Sequence, residues 1–463
     1  MNQFDLNMID RKKDIFFIGI GGISMSALAV ILKNDGYSVR GSDFKAGPMT
    51  EDLQSKGIPV SVGHRAENVE NVGLVVYTAA IHEDNPELAR AHELGIITIE
   101  RATLLGALMK RYRYPVAVSG THGKTTTTSM LSHILLSANL DPTILVGGVL
   151  PLIGGNMRDG GKDYFVTEAC EYCGSFLKFF PLYSIILNIE EDHLDYFKDL
   201  EDIVNCFRSF VSLVPPDGAI VANYDDSDVR RAVCDAPCRV IGYGIESADC
   251  EYTAHNIRFS EDGCGIFDVH FGGRPCMHVE LNVPGMHNVS NALAVVAAAQ
   301  LLGISCENIQ KGFASFHGTN RRFEHKGSIG GAQIIDDYAH HPTEIRATLA
   351  AAKKAAAGGK IWCVFQPHTY TRSFKLKDEF ARSFSDCDHV ILSDIYAARE
   401  KDTGLIHALD LADAIDGVSH NACYIKGFEV IEQYLRENVS EGDLILTMGA
   451  GDVYQIGEAL AEK

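Results

Sequence analysis

A glycine- and threonine-rich turn between an apolar strand and a helix constrains this chain more than any other segment. Residues 118–128 read VSGTHGKTTTT, after an apolar stretch at 114–118 and before a helical pattern at 125–137. Such a turn directs backbone N–H groups and the positive end of the helix at an anion. The Lys124 side chain adds a charge for outer phosphates, and the Thr125 hydroxyl is placed to ligate Mg²⁺. The segment therefore predicts a loop that binds nucleotide phosphates.

The spacing within this loop departs from the common phosphate-loop pattern. That pattern requires glycine at position 118, where this chain has valine, and the first glycine here is Gly120. The alternative is a turn that is needed only for packing and is capped by threonines. On that interpretation, the glycine-lysine-threonine sequence at a strand-to-helix junction would be a coincidence. The candidate nucleotide ligands of the loop are Gly120, Thr121, His122, Gly123, Lys124, Thr125 and Thr126.

Length and charge restrict the classes of function. A chain of 463 residues predicts about three domains, and its net charge of −20 argues against broad binding to nucleic acids or anionic membranes. Residues 1–14 mix acids and bases, and the apolar run after them covers only 15–20, so neither a signal peptide nor a membrane span is expected. We expect a cytoplasmic protein with small-molecule partners; oligomeric state is not readable from the sequence.

The twelve cysteines are scattered through the chain and are expected to be reduced thiols. Cys170 and Cys173 form a CxxC pair, but no second pair follows at a zinc-ribbon spacing. Structural zinc is therefore not expected at this pair.

Strand-like and helix-like segments alternate along most of the chain, which predicts an α/β fold with mainly parallel sheets. We expect a Rossmann-like domain at 1–113, a phosphate-loop ATPase-like domain at 114–326 and a second Rossmann-like domain at 327–463. Between 250 and 283 the pattern changes to alternating strands broken by glycine-rich turns, which indicates an antiparallel flank on the central domain.

A second glycine turn follows the first apolar strand. Residues 19–24 read GIGGIS and match the dinucleotide fingerprint only in part, because serine replaces the third glycine. An acid at the end of the next strand can accept from a ribose hydroxyl. The turn could bind the pyrophosphate of NAD or of a UDP-sugar, and a turn needed only for packing remains the alternative. The candidate ligands are Gly19, Gly21, Gly22, Ile23, Ser24 and Asp43.

Two residues after strands of the second unit could bind a metal ion. Glu168 ends an apolar strand, and His193 lies in the acidic segment 188–195. The carboxyl ends of parallel strands face the ligand crevice, and carboxylate and imidazole groups can ligate a divalent cation. A solvated histidine in an acidic loop is the alternative interpretation.

Further polar residues collect at two later junctions. Asn288 and Asn291 open a helix, where they could bind a nucleotide or cap the helix. Arg322 lies beside an expected domain junction and could bind phosphate or form an interdomain ion pair. Residues 336–344 read DDYAHHPTE at a strand-to-helix turn, a density of polar groups that indicates a site.

Together these segments resemble the Mur ligase family, ATP-dependent enzymes that form amide bonds in peptidoglycan precursor synthesis. The resemblance covers essentially the whole chain. The matching segments, in order, are residues 19–24, 120–126, 168–172, 192–195, 284–291, 321–323, 337–344, 366–368 with Arg372, and 449–452.

The resemblance implies that the first domain binds UDP-N-acetylmuramate, the second binds ATP and Mg²⁺, and the third presents the amino acid, L-alanine in the alanine-adding members. The roles it implies are ATP phosphate binding by Lys124 and Thr125, Mg²⁺ binding by Thr125, Glu168 and His193, ATP contacts by Asn288, Asn291, Arg322 and Asp337, and contact with L-alanine by His368 and Arg372. His340, His341 and His368 remain open alternatives as acceptor of the amine proton.

The chain departs from the family pattern at two places. Several members have a carbamylated lysine about fifteen residues beyond the metal-binding histidine, but no lysine occurs between Lys198 and Lys311 here. Arg208 lies near that position, and the alanine-adding members are similar in lacking the lysine. Thr369 stands where some relatives have a second arginine, so the mode of carboxylate recognition stays open.

Three alternatives to an alanine-adding ligase differ in what they leave unexplained. A recycling ligase that attaches a whole peptide to UDP-N-acetylmuramate shares the HHPT segment, although GIGGIS favours the alanine-adding members. A nicotinamide-dependent oxidoreductase explains residues 19–24 but gives Lys124 no role. A nucleotide-sensing module explains Lys124 but not Glu168 and His193.

Overall fold

The computed structural model describes residues 4–78, 80–356, 358–398 and 400–461. They form three sheets in chain order, each mainly parallel and flanked by helices. The α/β class, the three mainly parallel sheets and the antiparallel flank predicted from the sequence are confirmed. None of the helices in these ranges has the length and hydrophobicity needed to cross a membrane.

The first sheet has five parallel strands in the order β3-β2-β1-β4-β5. Its central strand is almost completely buried on both faces, as expected for a parallel sheet between helix layers. Its elements are β1 Asp14–Ile18, α1 Ile23–Asn34, β2 Val39–Asp43, α2 Pro48–Ser55, β3 Val60–Val62, β4 Val72–Tyr77, α3 Pro86–Glu93, β5 Ile97–Glu100 and α4 Arg101–Met109.

The second sheet has ten strands, and the strand that enters the phosphate loop lies near its middle. The order is β15-β14-β13-β12-β11-β10-β6-β9-β7-β8, with antiparallel pairing only at the two edges. The elements are β6 Tyr114–Ser119, α5 Lys124–Ser137, β7 Thr143–Leu150, β8 Gly155–Arg158, β9 Tyr164–Ala169, β10 Tyr183–Ile186, α6 Leu200–Val211, β11 Ala219–Asn223, α7 Ser227–Val233, β12 Arg239–Gly244, β13 Tyr252–Phe259, β14 Cys264–Phe271, β15 Arg274–Pro284, α8 Met286–Leu301 and α9 Cys306–Ser315.

The third sheet has the order β16-β17-β21-β18-β19-β20, and only its first strand is antiparallel. The elements are β16 Glu324–Ile329, β17 Ala332–Asp337, α10 Pro342–Ala355, β18 Ile361–Phe365, α11 Tyr370–Lys375, α12 Lys377–Ala381, β19 His389–Leu392, α13 Ala408–Ser419, β20 Ala422–Tyr424, α14 Phe428–Asn438, β21 Leu444–Met448 and α15 Tyr454–Leu460. The expected boundary at 326/327 falls inside β16, because this strand pairs with β17 from Glu324 onwards.

The first two domains share a continuous hydrophobic core. Side chains of β1 and α4 belong to the same buried cluster as Phe176 and Phe207 of the central domain. At Gly106 the backbone of α4 approaches the central domain closely, because a Cβ atom there would overlap the carbonyl oxygen of Lys178. The segment 172–178 that α4 touches follows directly after Glu168 and Cys170, so this contact supports the polar residues at the end of β9.

We expect Gly106→Ala to destabilise the chain by about 1–3 kcal/mol, because the added methyl group forces α4 away from the Lys178 carbonyl. Gly417→Ala is the matched control, since Gly417 also lies inside a helix but a Cβ atom there meets nothing within 4 Å. Alanine favours helices over glycine, so the control should be neutral or stabilising. Thermal unfolding of both variants measures the difference, and equal melting temperatures would contradict the prediction.

Candidate functional site

The phosphate loop has two glycines that no other residue could replace without strain. Gly120 has φ 137° and Gly123, at the N-terminus of α5, has φ 82°. A Cβ atom at Gly120 would lie 2.9 Å from the Cβ of Leu187, and one at Gly123 would lie 2.9 Å from Oδ1 of Asn291. The loop is therefore pressed against β10 and α8, which leaves the start of α5 facing the crevice at the carboxyl ends of the strands.

Lys124 is held by a buried carboxylate that the sequence analysis assigned no role. Its Nζ donates to Glu171 Oε2 at 3.1 Å and to the Thr121 carbonyl at 3.0 Å, and Glu171 is only 2% exposed. Burial alone would lower the pKa of Lys124, but the facing charge of Glu171 raises it above its usual value. Lys124 is therefore charged and positioned at neutral pH. The sequence signal for Glu171 was its place in the segment 168–172, which resembles the family pattern, three residues after Glu168.

Of the candidate metal ligands, His193 lies beside the same carboxylate, whereas Glu168 belongs to β9 and Thr125 to the first turn of α5. Glu168 is the second-last residue of β9, paired with Val118 of β6, and its Oε1 accepts from the Gly147 N–H at 2.5 Å. His193 has a left-handed backbone, with φ 51°, and its Nε2 lies 3.7 Å from Glu171 Oε1. Burial lowers the pKa of His193, which favours the neutral form that binds metals. Thr125, buried in the first turn of α5, completes the predicted set.

A cavity of about 300 Å³ opens beside the loop, between the central and C-terminal domains. Apolar side chains, including Val283 and Phe316, form part of its wall. Seven of the predicted nucleotide ligands line it: His122, Gly123, Thr126, Asn288, Asn291, Arg322 and Asp337. The remaining four, Gly120, Thr121, Lys124 and Thr125, belong to the adjoining loop and first helical turn. The fold thus brings segments from distant parts of the sequence to one cavity.

The two asparagines are not N-terminal caps of α8. The residue before the helix is Gly285, and no side chain caps it. Asn288 instead donates from Nδ2 to the Pro284 carbonyl at 2.7 Å, and its Oδ1 accepts from Asn291 Nδ2 at 3.2 Å. The pair therefore forms a small amide network on the cavity wall.

The two adjacent arginines have different environments. Arg321 is fixed to the third domain, with Nε 3.0 Å from Asp336 and both Nη groups bound to carbonyl oxygens of the glycine-rich segment 449–451. Arg322 faces the cavity, and its Nη1 lies 3.8 Å from Glu344 Oε1. Glu344 belongs to α10, and Arg322 lies two residues before β16.

Asp337 is the buried acid of the cavity. It accepts from the backbone N–H groups of Phe323 and Ala339, each at 2.8 Å. Burial raises the pKa of Asp337 to about 6, against the opposing effect of Arg322. Asp337 therefore fixes the turn that carries Arg322.

His122 and His341 meet where the loop touches α10. His122 Nδ1 lies 3.2 Å from Glu344 Oε1, and the two rings are 4.7 Å apart. Burial alone would lower the pKa of His122, but the charge of Glu344 raises it to about 9. His341 is the residue before α10, and its Nε2 lies 3.0 Å from the Glu191 carbonyl. These contacts join the C-terminal domain to the central one.

The residues expected to meet the amino acid line a second cavity of about 80 Å³ together with His193 and Thr369. Arg372 is 9% exposed there, and its Nη2 donates to Asp192 Oδ1 at 2.6 Å while its Nη1 lies 2.9 Å from His368 Nδ1. Asp192 belongs to the central domain, and its link to Arg372 crosses the domain junction. No local pattern in the sequence indicates this pairing.

His340 lies on the rim of the same region. Its Nδ1 is 2.9 Å from the Tyr338 carbonyl, and its ring centroid is 5.5 Å from that of His368. Burial lowers the pKa of His340 to about 3, so the imidazole is neutral at neutral pH. A neutral imidazole can accept a proton.

The glycine turn of the first domain is held by hydrogen bonds that involve Asp43 and Ser24, two of its predicted ligands. The Gly21 N–H donates to Asp43 Oδ2 at 2.8 Å, and Gly19 has φ 77°. Ser24 Oγ accepts from Arg101 at 2.9 Å, a residue that sequence analysis missed. Ile23 is exposed beside the turn, and its carbonyl accepts from Asn156 of β8 at 3.1 Å. Gly22 immediately precedes α1. This turn therefore lies next to the central domain.

Comparison with protein families places the whole chain in one group. Residues 14–113 match the model described as Mur ligase family, catalytic domain; residues 118–299 match the Mur ligase middle domain; and residues 321–451 match the Mur ligase, glutamate ligase domain. The chain belongs to the Mur ligase family.

Individual relatives are similar over nearly their full lengths. The UDP-N-acetylmuramate–L-alanine ligase of Acetivibrio thermocellus is 54% identical, covering 99% of this chain and 97% of the relative. The ligase of the same name from Clostridium acetobutylicum is 52% identical over all of both chains. Among solved structures, UDP-N-acetylmuramate-alanine ligase from Thermotoga maritima matches with a TM-score of 0.81 and 30% identity, covering 97% of this chain and 98% of that one.

We expect loss of either partner of the Asp192–Arg372 pair to cost about 3–5 kcal/mol, because the other charge is left buried without compensation. Asp192→Asn and Arg372→Gln should each strongly lower the urea concentration at the unfolding midpoint. The double variant should lose less free energy of unfolding than the sum of the two single losses. Lys353→Ala, which breaks the exposed pair with Asp386, is the control and should leave the midpoint unchanged. If the losses in free energy of unfolding of the two single variants add up to that of the double variant, the direct pairing of Asp192 and Arg372 is contradicted.

Proposed function

We propose that this chain is an ATP-dependent ligase that joins L-alanine to the lactyl carboxylate of UDP-N-acetylmuramate, an ADP-forming step of peptidoglycan precursor synthesis. One arrangement carries the proposal: Lys124, in the loop beside a cavity suited to a nucleotide, and His193, in a small cavity lined also by His368 and Arg372, lie next to the same carboxylate of Glu171. The relatives of the same printed activity support it. We expect it to act in the cytoplasm.

The larger cavity has the properties of a nucleoside site. Apolar residues such as Phe316 and Val283 offer a surface for a base, and the amide network of Asn288 and Asn291 offers donors and acceptors for polar groups. The cavity adjoins the start of α5, so a nucleotide whose base lies there has its phosphates at the helix N-terminus. These features fit ATP.

The donor set beside Lys124 fits Mg²⁺. Glu168 and Glu171 supply carboxylate oxygens, Thr125 supplies a hydroxyl, and His193 is held neutral by burial. A bound Mg²⁺ would neutralise charge on transferring phosphoryl oxygens. Thr125, Glu168 and His193 are the residues we propose as its ligands.

Amide formation from a carboxylate requires activation, because its oxygen is a poor leaving group. Transfer of the ATP γ-phosphoryl group to the lactyl carboxylate gives an acyl phosphate, which the amine of L-alanine attacks with release of phosphate. Lys124 stays charged against Glu171 and would stabilise the negative oxygens in that transfer. The closed junction around His193 and Arg372 would exclude water from the acyl phosphate.

Hydrogen bonding favours His340 among the three histidines as acceptor of the amine proton. Its Nδ1 faces the Tyr338 carbonyl and therefore carries the hydrogen, which leaves a lone pair on Nε2. His368 uses its Nδ1 lone pair for Arg372, and His341 donates from Nε2 to the Glu191 carbonyl. His340 alone among them presents Nε2 as an acceptor in this pattern.

Two alternatives are less well supported. Murein peptide ligase from Psychrobacter arcticus also matches, with a TM-score of 0.71 and 26% identity over 97% of this chain, below the values for the alanine ligase structure. A nicotinamide-dependent oxidoreductase would leave the buried Lys124–Glu171 pair and the loop around it without a role. The alanine ligase activity explains both glycine turns.

The activity predicts phosphate release from ATP only when Mg²⁺, UDP-N-acetylmuramate and an amine substrate are all present. L-Alanine should support faster release than L-serine or a muramyl tripeptide, because the cavity beside Arg372 is only about 80 Å³, and faster release than glycine, which lacks the methyl group to contact its wall. A colorimetric phosphate assay with each amine measures this. Release without the sugar nucleotide and amine would overturn the proposal, and preference for the tripeptide would indicate the recycling activity.

Lys124→Ala should lower kcat at least about 100-fold, because the developing charge on the phosphoryl oxygens loses its fixed cation. Lys198→Ala is the control, since that side chain is exposed outside both cavities. Turnover is compared under saturating substrates, with circular dichroism to verify folding. Near-normal turnover of a folded Lys124→Ala variant would contradict the catalytic role assigned to Lys124.

A further inference from the structure

Three side chains at the junction of the central and C-terminal domains form a cluster that the ligase reaction does not require as a group. His122, Glu190 and His341 each present one ligand-type atom, and these atoms lie within 4.8 Å of one another. The cluster lies at the phosphate loop but does not include the proposed Mg²⁺ ligands Thr125, Glu168 and His193. His122 and Glu190 come from the central domain, and His341 comes from the C-terminal one.

The atoms of the cluster converge on one carboxylate oxygen. Glu190 Oε2 lies 3.7 Å from His122 Nε2 and 4.0 Å from His341 Nδ1. His122 Nε2 is buried and has no hydrogen-bond partner within the described ranges of the chain. A buried ring nitrogen that lacks such a partner, directed at a carboxylate and near a second imidazole, indicates room for a shared ligand.

Each of the three groups also has an outer contact that fixes its orientation. His122 Nδ1 faces Glu344 Oε1 at 3.2 Å, and a cation bound at Nε2 replaces the proton that this nitrogen carries in the charged imidazolium. His341 donates from Nε2 to the Glu191 carbonyl at 3.0 Å, and its Nδ1 accepts from the Thr343 N–H at 3.3 Å at the start of α10, so a cation bound at Nδ1 replaces this capping contact. Thr343 Oγ1 donates to Glu190 Oε2 at 2.5 Å. Metal-binding histidines and carboxylates in proteins are oriented by contacts of this kind.

The chemistry of the donors selects the type of cation. Two imidazole nitrogens and one carboxylate are a ligand set typical of Zn²⁺ and of related transition metals, whereas Mg²⁺ prefers oxygen ligands and keeps its water. Zn²⁺ binds nitrogen at about 2.0–2.1 Å, so the side chains need to move inwards by small rotations to reach it. The carboxylates of Glu190 and Glu344 supply negative charge to balance a dication.

We propose that His122, Glu190 and His341 form a binding site for one transition-metal dication of the Zn²⁺ class, which links the phosphate loop to the C-terminal domain. The site is separate from the Mg²⁺ that ligation would need and does not depend on the ligase activity. Its ligands come from both sides of the domain junction, so a bound ion cross-links the two domains.

Titration of the metal-free full-length chain with Co²⁺ tests the site without substrates. Co²⁺ in such a site should give visible absorption bands that saturate at one equivalent, persist in excess Mg²⁺ and vanish when Zn²⁺ is added. His341→Gln and Glu190→Gln should each weaken Co²⁺ binding by at least about 100-fold, since each removes a ligand from a different domain. Glu344→Gln should weaken it about 10–100-fold through the orientation of His122.

His193→Gln is the matched control, because it removes an imidazole from the neighbouring cluster of Cys170, Glu171 and His193. Its Co²⁺ bands should equal those of the unmodified chain. Bands that persist in both His341→Gln and Glu190→Gln, or that vanish in His193→Gln, would overturn the proposal, as would the absence of any bands. A near-ultraviolet thiolate band would likewise overturn it by assigning the ion to Cys170. Circular dichroism of each variant separates lost ligands from lost folding.

Discussion

The ion pair between Lys124 and Glu171 is the interaction on which the arrangement of the site depends. The loop glycines press the start of α5 against β10 and α8, so Lys124 extends into a region where burial penalises its charge. Glu171 offsets that penalty and lies within 3.7 Å of His193. One buried carboxylate therefore positions both the phosphate-binding cation and the imidazole of the proposed metal site.

The C-terminal domain is attached to this centre through polar contacts. Arg372 reaches Asp192, His341 reaches the Glu191 carbonyl, and Thr343 reaches Glu190. All three contacts are made to the short segment 190–192, immediately before His193. A movement of the C-terminal domain is thus transmitted directly to the backbone that holds His193, and closure of the domain junction and assembly of the metal site are structurally coupled.

Sequence alone could predict the features that are local in the chain. The phosphate loop is recognisable because strand, glycines, Lys124 and helix follow one another, and the segment 336–344 is recognisable from its density of polar groups. The partners of these residues could not be predicted. Arg372 and Asp192 are 180 residues apart, and Thr343 and Glu190 are 153 apart. Their pairing depends on how two separately folded sheets dock, which no local pattern encodes.

The net charge of −20 has a consequence for how a chain of this kind holds anions. Its cationic groups at the site are each paired with an acid of the same chain: Lys124 with Glu171, Arg372 with Asp192, and His122 with Glu344. These acids keep the cations charged and oriented while they are buried. An incoming phosphate or carboxylate must then share a cation with a protein carboxylate, which adds negative charge to a crowded region. A divalent cation relieves that repulsion, so anion binding and Mg²⁺ binding at this site should be coupled.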